Sequence, residues 1–144
     1  MRSAAEHGTR RIASRRIEVR PFRRADAEQL TQLVNAHVGA VLPGVSVSVD
    51  AVLAQLEREP GEFVVDPWVA ERATLVAVER DRLVAAALVL RYAASPEVAA
   101  DLRGAGELRW IVCWPESVEA GSAVAAAALE QLTRWGVRRR YADG

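Results

Sequence analysis

One carboxylate, Glu107, stands at the head of a β-rich run, Leu108–Trp114, and a glycine-bearing loop follows that run. The run stops at Pro115, the loop carries Gly121, and an Ala-rich helical stretch continues from about Ala120 to Trp135 before Gly136. A strand, a loop with glycine and a helix N-terminus bring unpaired backbone N–H groups together, and those groups with the helix dipole hold an anion. A carboxylate at the head of the strand is a candidate base. The chemistry suggested is proton removal beside a phosphate-bearing cofactor. Each part also has a plainer reading: Glu107 as an exposed strand-end carboxylate, the loop as an ordinary connection before a helix.

The other reactive side chains read more simply. Cys113 has no activating His nearby in sequence, and a free Cys is commonly a buried hydrophobe, so it is expected to pack rather than attack. His37 falls on the apolar face of a helix, as a core or pocket-lining residue. His7 lies in the N-terminal leader and receives no role, and Glu116 reads as surface. Trp110 and Trp114 lie four apart on the strand, share a face, and cover the core or a cleft.

Composition narrows the function classes. The 144 residues are 51% hydrophobic and 26% charged, with nineteen basic residues against nineteen acidic ones. That is the balance of one soluble globular domain. Every basic residue is arginine, the mark of a GC-rich coding bias, so arginine count says little about phosphate. Neutral charge argues against nucleic acid as a partner. The clusters Arg10–Arg16 and Arg138–Arg140 read as a solvated tail and a solvated strand end. The longest clean apolar run, Val84–Leu90, is strand-sized, so no membrane span is expected. The basic N-terminus has no apolar core after it and does not read as a secretory signal. With Cys113 the sole cysteine, no intrachain disulfide can form, which points to a reducing cytoplasm.

Residues 1–16 read as a flexible basic leader, and residues 17–144 as one domain. Ile17–Arg20 alternates and ends at Pro21, a short first strand. Asp26 with Gln29 resembles a capping box, and Leu30, Leu33, Val34, His37, Val38 and Val41 follow along one helix face up to Pro43-Gly44. A shorter helix opens near Ser48 with Val49, Val52, Leu53 and Leu56 on its apolar side, and Pro60-Gly61 closes it. Phe63–Trp68 is a loop or short extended segment. Thr74–Glu79 and Leu83–Tyr92 form a hairpin around Arg80-Asp81-Arg82, with the second run inside the sheet. Ser95-Pro96-Glu97 starts a short helical or turn segment, Gly104 ends it, and Gly106 precedes the key strand. The last helix carries Val124, Ala128, Leu132 and Trp135 on one face, and Val137–Tyr141 begins a further strand. The order is strand, helix, helix, hairpin, strand, helix, strand. It predicts an α/β fold whose mixed, mostly antiparallel sheet is flanked by helices, not a doubly wound dinucleotide fold.

From Ile17 to Tyr141 this order resembles the GNAT superfamily of acyl-CoA-dependent N-acyltransferases. That family has a loop of pattern Gln/Arg-x-x-Gly-x-Gly/Ala after its fourth strand, wrapping the pyrophosphate of the cofactor. The matching residues are Val118, Glu119, Ala120, Gly121, Ser122 and Ala123. The glycine and final small residue are kept, while Val118 replaces the leading Gln or Arg, and Glu119 and Ala120 the usual basic neighbours. Glu119 would repel phosphate unless it points to solvent. In members resembling the histone-type acetyltransferases, a glutamate eleven positions before the pattern deprotonates the amine, directly or through water; Glu107 lies eleven before Val118. A buried glutamate can have its pKa raised toward neutrality for that task. The resemblance also places Ile111 and Cys113 where strand backbone meets the acyl carbonyl and the pantetheine arm, an N–H there stabilising an oxyanion.

The family continues beyond the fifth strand with a helix and two more strands, which often supply a tyrosine as general acid. Tyr141 does not match that position, so the resemblance implies a domain incomplete at its C-terminus. An open edge beside Val137–Tyr141 would be an association hazard unless a second copy or a partner chain completes the sheet. The resemblance implies acetyl-CoA as co-substrate and an amine of a small molecule or peptide as acceptor. The alternative is a degenerate, non-catalytic binding or dimerisation module, which Val118 and Glu119 favour.

Overall fold

The computed structural model describes residues 16–56 and 68–142. The leader up to residue 15, Pro60-Gly61 and most of the Phe63–Trp68 segment lie outside the described residues. Strand β1 is Ile17–Pro21, helix α1 Ala27–Val41 and helix α2 Val49–Leu56. Strands β2 (Val69–Glu79), β3 (Arg82–Tyr92) and β4 (Gly106–Cys113) follow, then helix α3 (Val118–Arg134) and strand β5 (Arg140–Ala142). The sheet order is β1-β2-β3-β4-β5; the first three pairings are antiparallel and β4–β5 is parallel. The expected order of elements and the mixed, mostly antiparallel sheet flanked by helices are both present.

Strand β3 lies at the centre, and its run from Leu83 to Leu90 is buried throughout. Its alternation feeds two cores. Ala85, Ala87 and Val89 face α3, meeting Ala120, Val124, Ala128 and Leu132. Ala86 and Leu83, with Val76 and Val112, face α1 and α2, meeting Leu30, Leu33 and Val52. Alanines on both the strand and α3 let that helix sit close to the sheet. Gly106 marks the tightest approach: a Cβ there would lie 2.5 Å from Leu132 Cδ2 and 2.8 Å from Val137 Cγ1.

Several local expectations are corrected. The hairpin turn is two residues, Arg80 and Asp81, at φ 50° and 64°, so Arg82 belongs to β3. Two left-handed residues give the turn whose twist matches the strands. Strand β2 begins five residues earlier than Thr74, at Val69, and Gly106 is part of β4. The Asp26–Gln29 capping box does not form. Arg20 donates to both oxygens of Asp26 at 2.7 and 2.8 Å, and the Arg23 backbone N–H donates to Oδ2 at 2.8 Å. Gln29 instead accepts from the Leu83 N–H at 2.9 Å. A bidentate charged partner outcompetes a local cap. The apolar face of α1 fades toward its end, where Val41 is exposed. Of the two readings of Ser95–Glu97 the turn is the one present, whereas the last strand shrinks to Arg140–Ala142, with Val137 buried in the α3 core instead. Among the described residues no helix is long and apolar enough to cross a membrane.

Candidate active site

The site grows from an irregularity in β4. Opposite β3, Trp110 pairs with Leu88 and Leu108 with Val89, so Arg109 is an extra residue and the strand bulges there. A bulge shifts which backbone groups face which neighbour. Before it, Tyr92 N–H donates to Ala105 O, and Gly106 N–H turns the other way to Arg139 O. Beyond it, Trp114 N–H donates to Val84 O. By antiparallel alternation, Trp110 and Val112 face β3, and the N–H and C=O of Ile111 and Cys113 face away from it.

On that outer side, among the described residues, β5 pairs with Gly106, Glu107 and Leu108. No described strand pairs with Ile111 and Cys113 on that side, so among the described residues they present an open edge. Helix α3 begins beside it. The helix starts at Val118, two residues earlier than expected, so the six residues matched to the pyrophosphate loop, Val118 to Ala123, are helical from the first. Gly121 is buried, and a Cβ on it would stand 3.0 Å from Cys113 Sγ. Its N–H donates to Ser117 O at 3.0 Å. The backbone N–H groups of Val118, Glu119 and Ala120 precede the first intrahelical bonds and point out of the helix end. Val118 is 65% exposed, Glu119 and Ser122 are exposed, and Ala120 is buried in the α3 core. Ala123 is half-buried one turn further along. The edge residues and the helix N-terminus are thus neighbours, joined through the Cys113–Gly121 contact, with Cys113 packed against the α3 core.

Glu107 lies at the other end of β4. Its Oε2 accepts from Arg109 Nε at 2.7 Å and from the Tyr92 hydroxyl at 3.1 Å, and Arg109 also donates to that hydroxyl at 3.3 Å. The Glu107 side chain is 15% exposed, so this is no free strand-end carboxylate. Burial pushes the Tyr92 hydroxyl above its usual pKa. Burial works to lower the Arg109 value, but its bonds to Glu107 and Tyr92 outweigh that and raise it, fixing the cation. Arg109 was readable in principle, two residues from Glu107 on one strand face. Tyr92 required the β3–β4 register.

Between α1, α2 and β4 lies a cavity of ≈ 290 Å³, lined among others by Leu30, Val34, His37, Val52, Trp110 and Ile111. His37 is therefore a pocket-lining residue. Trp110 and Trp114 both pack on the α1/α2 core, and Arg82 stacks over Trp114 at 5.2 Å from the ring centroid. No group of three or more metal-ligating side chains occurs among the described residues.

No protein-family model matches the chain, and no curated protein matches it by sequence. Solved structures do match in fold. An aminoglycoside acetyltransferase from an uncultured soil metagenomic sample, crystallised with sisomicin, superposes at TM-score 0.64 and 10% identity, over 91% of this chain and 79% of the other. The ribosomal-protein-alanine N-acetyltransferase of Brucella melitensis biovar Abortus gives 0.61 at 11% identity, over 88% and 79%. An aminoglycoside N-acetyltransferase in complex with CoA gives 0.60 at 18% identity, over 89% and 76%. The chain has the fold of the GNAT acetyltransferases.

Proposed function

We propose that this protein is an N-acetyltransferase that moves an acetyl group from acetyl-CoA to an amine. The observation that carries the reading is the open edge of β4 at Ile111 and Cys113, set beside the N-terminus of α3. An open strand edge suits a chain that carries amides, because its N–H and C=O groups can be paired as in a sheet. The outward N–H groups of Val118, Glu119 and Ala120 suit a pyrophosphate. Glu119 is exposed, so its carboxylate can stay in solvent.

Acetyl-CoA supplies the activated acyl group. Ile111 offers its N–H to the thioester carbonyl, where negative charge grows during attack. Glu107 removes a proton from the ammonium form of the acceptor, since the charged form has no lone pair. The neutral amine nitrogen then bonds to the carbonyl carbon, the C–S bond breaks, and the second proton shed by that nitrogen as it becomes an amide goes to the departing thiolate. Glu107 lies four residues from Ile111, and with one residue taken up by the Arg109 bulge the two are roughly 10 Å apart along the strand. That exceeds hydrogen-bond reach, so the proton travels through water. Tyr92 and Arg109 hold the Glu107 carboxylate in one orientation for that relay.

A second reading keeps the fold without the chemistry. Val118 and Glu119 at the helix N-terminus favour it, because neither adds positive charge for the phosphates. Thiol release from acetyl-CoA across a panel of amines separates the two. Amine-dependent release above the hydrolytic background supports transfer, and none with any amine supports the binding module.

A further inference from the structure

The cavity under α1 and α2 bears on which amine is used. Its walls are the apolar stripe Leu30, Val34 and His37 of α1, Val52 of α2, and Trp110 with Ile111 of β4. His37 is the sole titratable side chain in that lining among the described residues. The cavity and the open edge share Ile111, so a body seated in the cavity brings its substituent to the reacting edge. They nevertheless approach from opposite faces of the sheet. Trp110 and Val112 pack on the α1/α2 side, while Cys113 packs on the α3 side, where the helix N-terminus lies. A donor along the edge and an acceptor in the cavity can therefore be bound together.

We propose that the cavity seats the acceptor, and that the acceptor is a compact primary amine on an apolar frame about the size of one aromatic ring. This rests on the acyl-transfer reading above. At ≈ 290 Å³ the space is at the small end for ligand pockets, which suits one ring and a short arm rather than a three-ring sugar. The described lining holds no carboxylate to pair with several ammonium groups, and burying an unpaired charge is costly. For a single amine the same surroundings help, because desolvation disfavours the ammonium and eases loss of its proton.

The test compares kcat/KM for 2-phenylethylamine, ethylamine, spermidine and sisomicin with acetyl-CoA as donor. The ring should raise kcat/KM over ethylamine by about 100-fold, the scale for burying one aromatic side chain. Spermidine and sisomicin should fall below 2-phenylethylamine by at least as much. Ala51 is exposed and lines the cavity, so Ala51→Trp fills it without touching the core. That variant should lose most of the ring's advantage and keep its affinity for acetyl-CoA. Equal or better use of spermidine or sisomicin overturns the proposal and leaves acyl transfer standing. So does a preference for octanoyl-CoA over acetyl-CoA with no discrimination among amines, which would place the acyl chain in the cavity. If acetyl-CoA does not bind, the acyl-transfer reading fails, and calorimetry with 2-phenylethylamine alone decides the cavity. Saturable binding that Ala51→Trp abolishes supports an apolar amine there; no binding overturns it.

Discussion

Replacing Gly121 by alanine sets two effects of similar size against each other. Alanine is favoured over glycine inside a helix by about 1 kcal/mol. Against that, the new Cβ would stand 3.0 Å from Cys113 Sγ and 3.3 Å from Cys113 Cβ. Overpacking of this kind costs about 1–3 kcal/mol. The sulfur is the nearer atom and is packed against the α3 core, which leaves it little room to turn aside, so crowding wins. Gly121→Ala should lower the unfolding free energy by about 0–2 kcal/mol, the difference between those terms. Cys113→Ala removes the nearer atom, and in that background the same change should be neutral or stabilising by up to about 1 kcal/mol. Urea denaturation of the four proteins gives the coupling, expected at about 1 kcal/mol or more. Additivity within about 0.3 kcal/mol would refute the close approach of α3 to β4. The same proteins report on the phosphates. Because the Gly121 N–H is already bonded to Ser117 O, the double variant should bind acetyl-CoA as the parent does. A tenfold loss would mean that Gly121 meets the pyrophosphate itself.

Other expectations concern charge, turn and base. The hydrogen bonds from Arg20, backed by the Arg23 N–H, hold the Asp26 carboxyl below its usual range against the pull of burial. Its contribution is therefore present above the ordinary carboxylate pKa and lost as pH falls below about 4 through the folded-state value. Asp26→Asn should cost about 1.5–3 kcal/mol at neutral pH and flatten the acid limb of a stability–pH profile; an unchanged limb would contradict this. Changing Arg80-Asp81 to Asn-Gly relieves two positive-φ residues and should add about 1–2 kcal/mol, read as a raised urea midpoint at constant slope. Glu107→Gln should lower kcat for amine acetylation by about 10²–10⁴-fold with acetyl-CoA affinity kept, and unchanged turnover would remove Glu107 from the chemistry.

Periodicity made the scaffold readable. Leu30 and Leu33 mark the buried side of α1, and the apolar run from Leu83 could belong only inside a sheet. Where local rules failed, a tertiary partner had intervened. Asp26 reads as a cap until β1 brings Arg20 to it. Gly121 reads as a loop residue because glycine usually breaks helices, yet here it sits inside α3 to admit Cys113. Removing it from the loop carries the helix start back to Val118, with Ser117 at the N-cap position. In the site, the spacing of Glu107 to Val118 was visible in the sequence. The clasp on Glu107 was not, since Tyr92 reaches it from fifteen residues away through a register set by the bulge at Arg109. The cavity likewise depends on how α2 lies over β4, which no spacing states.

In the proposed complex acetyl-CoA lies along the open edge of β4 and against the start of α3. Residue-resolved amide hydrogen exchange, with and without saturating acetyl-CoA, tests it at the atoms concerned. Ile111 and Cys113 N–H should exchange fast in the free protein and slow down on binding, together with those of Val118, Glu119 and Ala120. Trp110 and Val112, already paired to β3, should change little. Binding that leaves Ile111 and Cys113 unprotected, or no binding at all, would contradict the account.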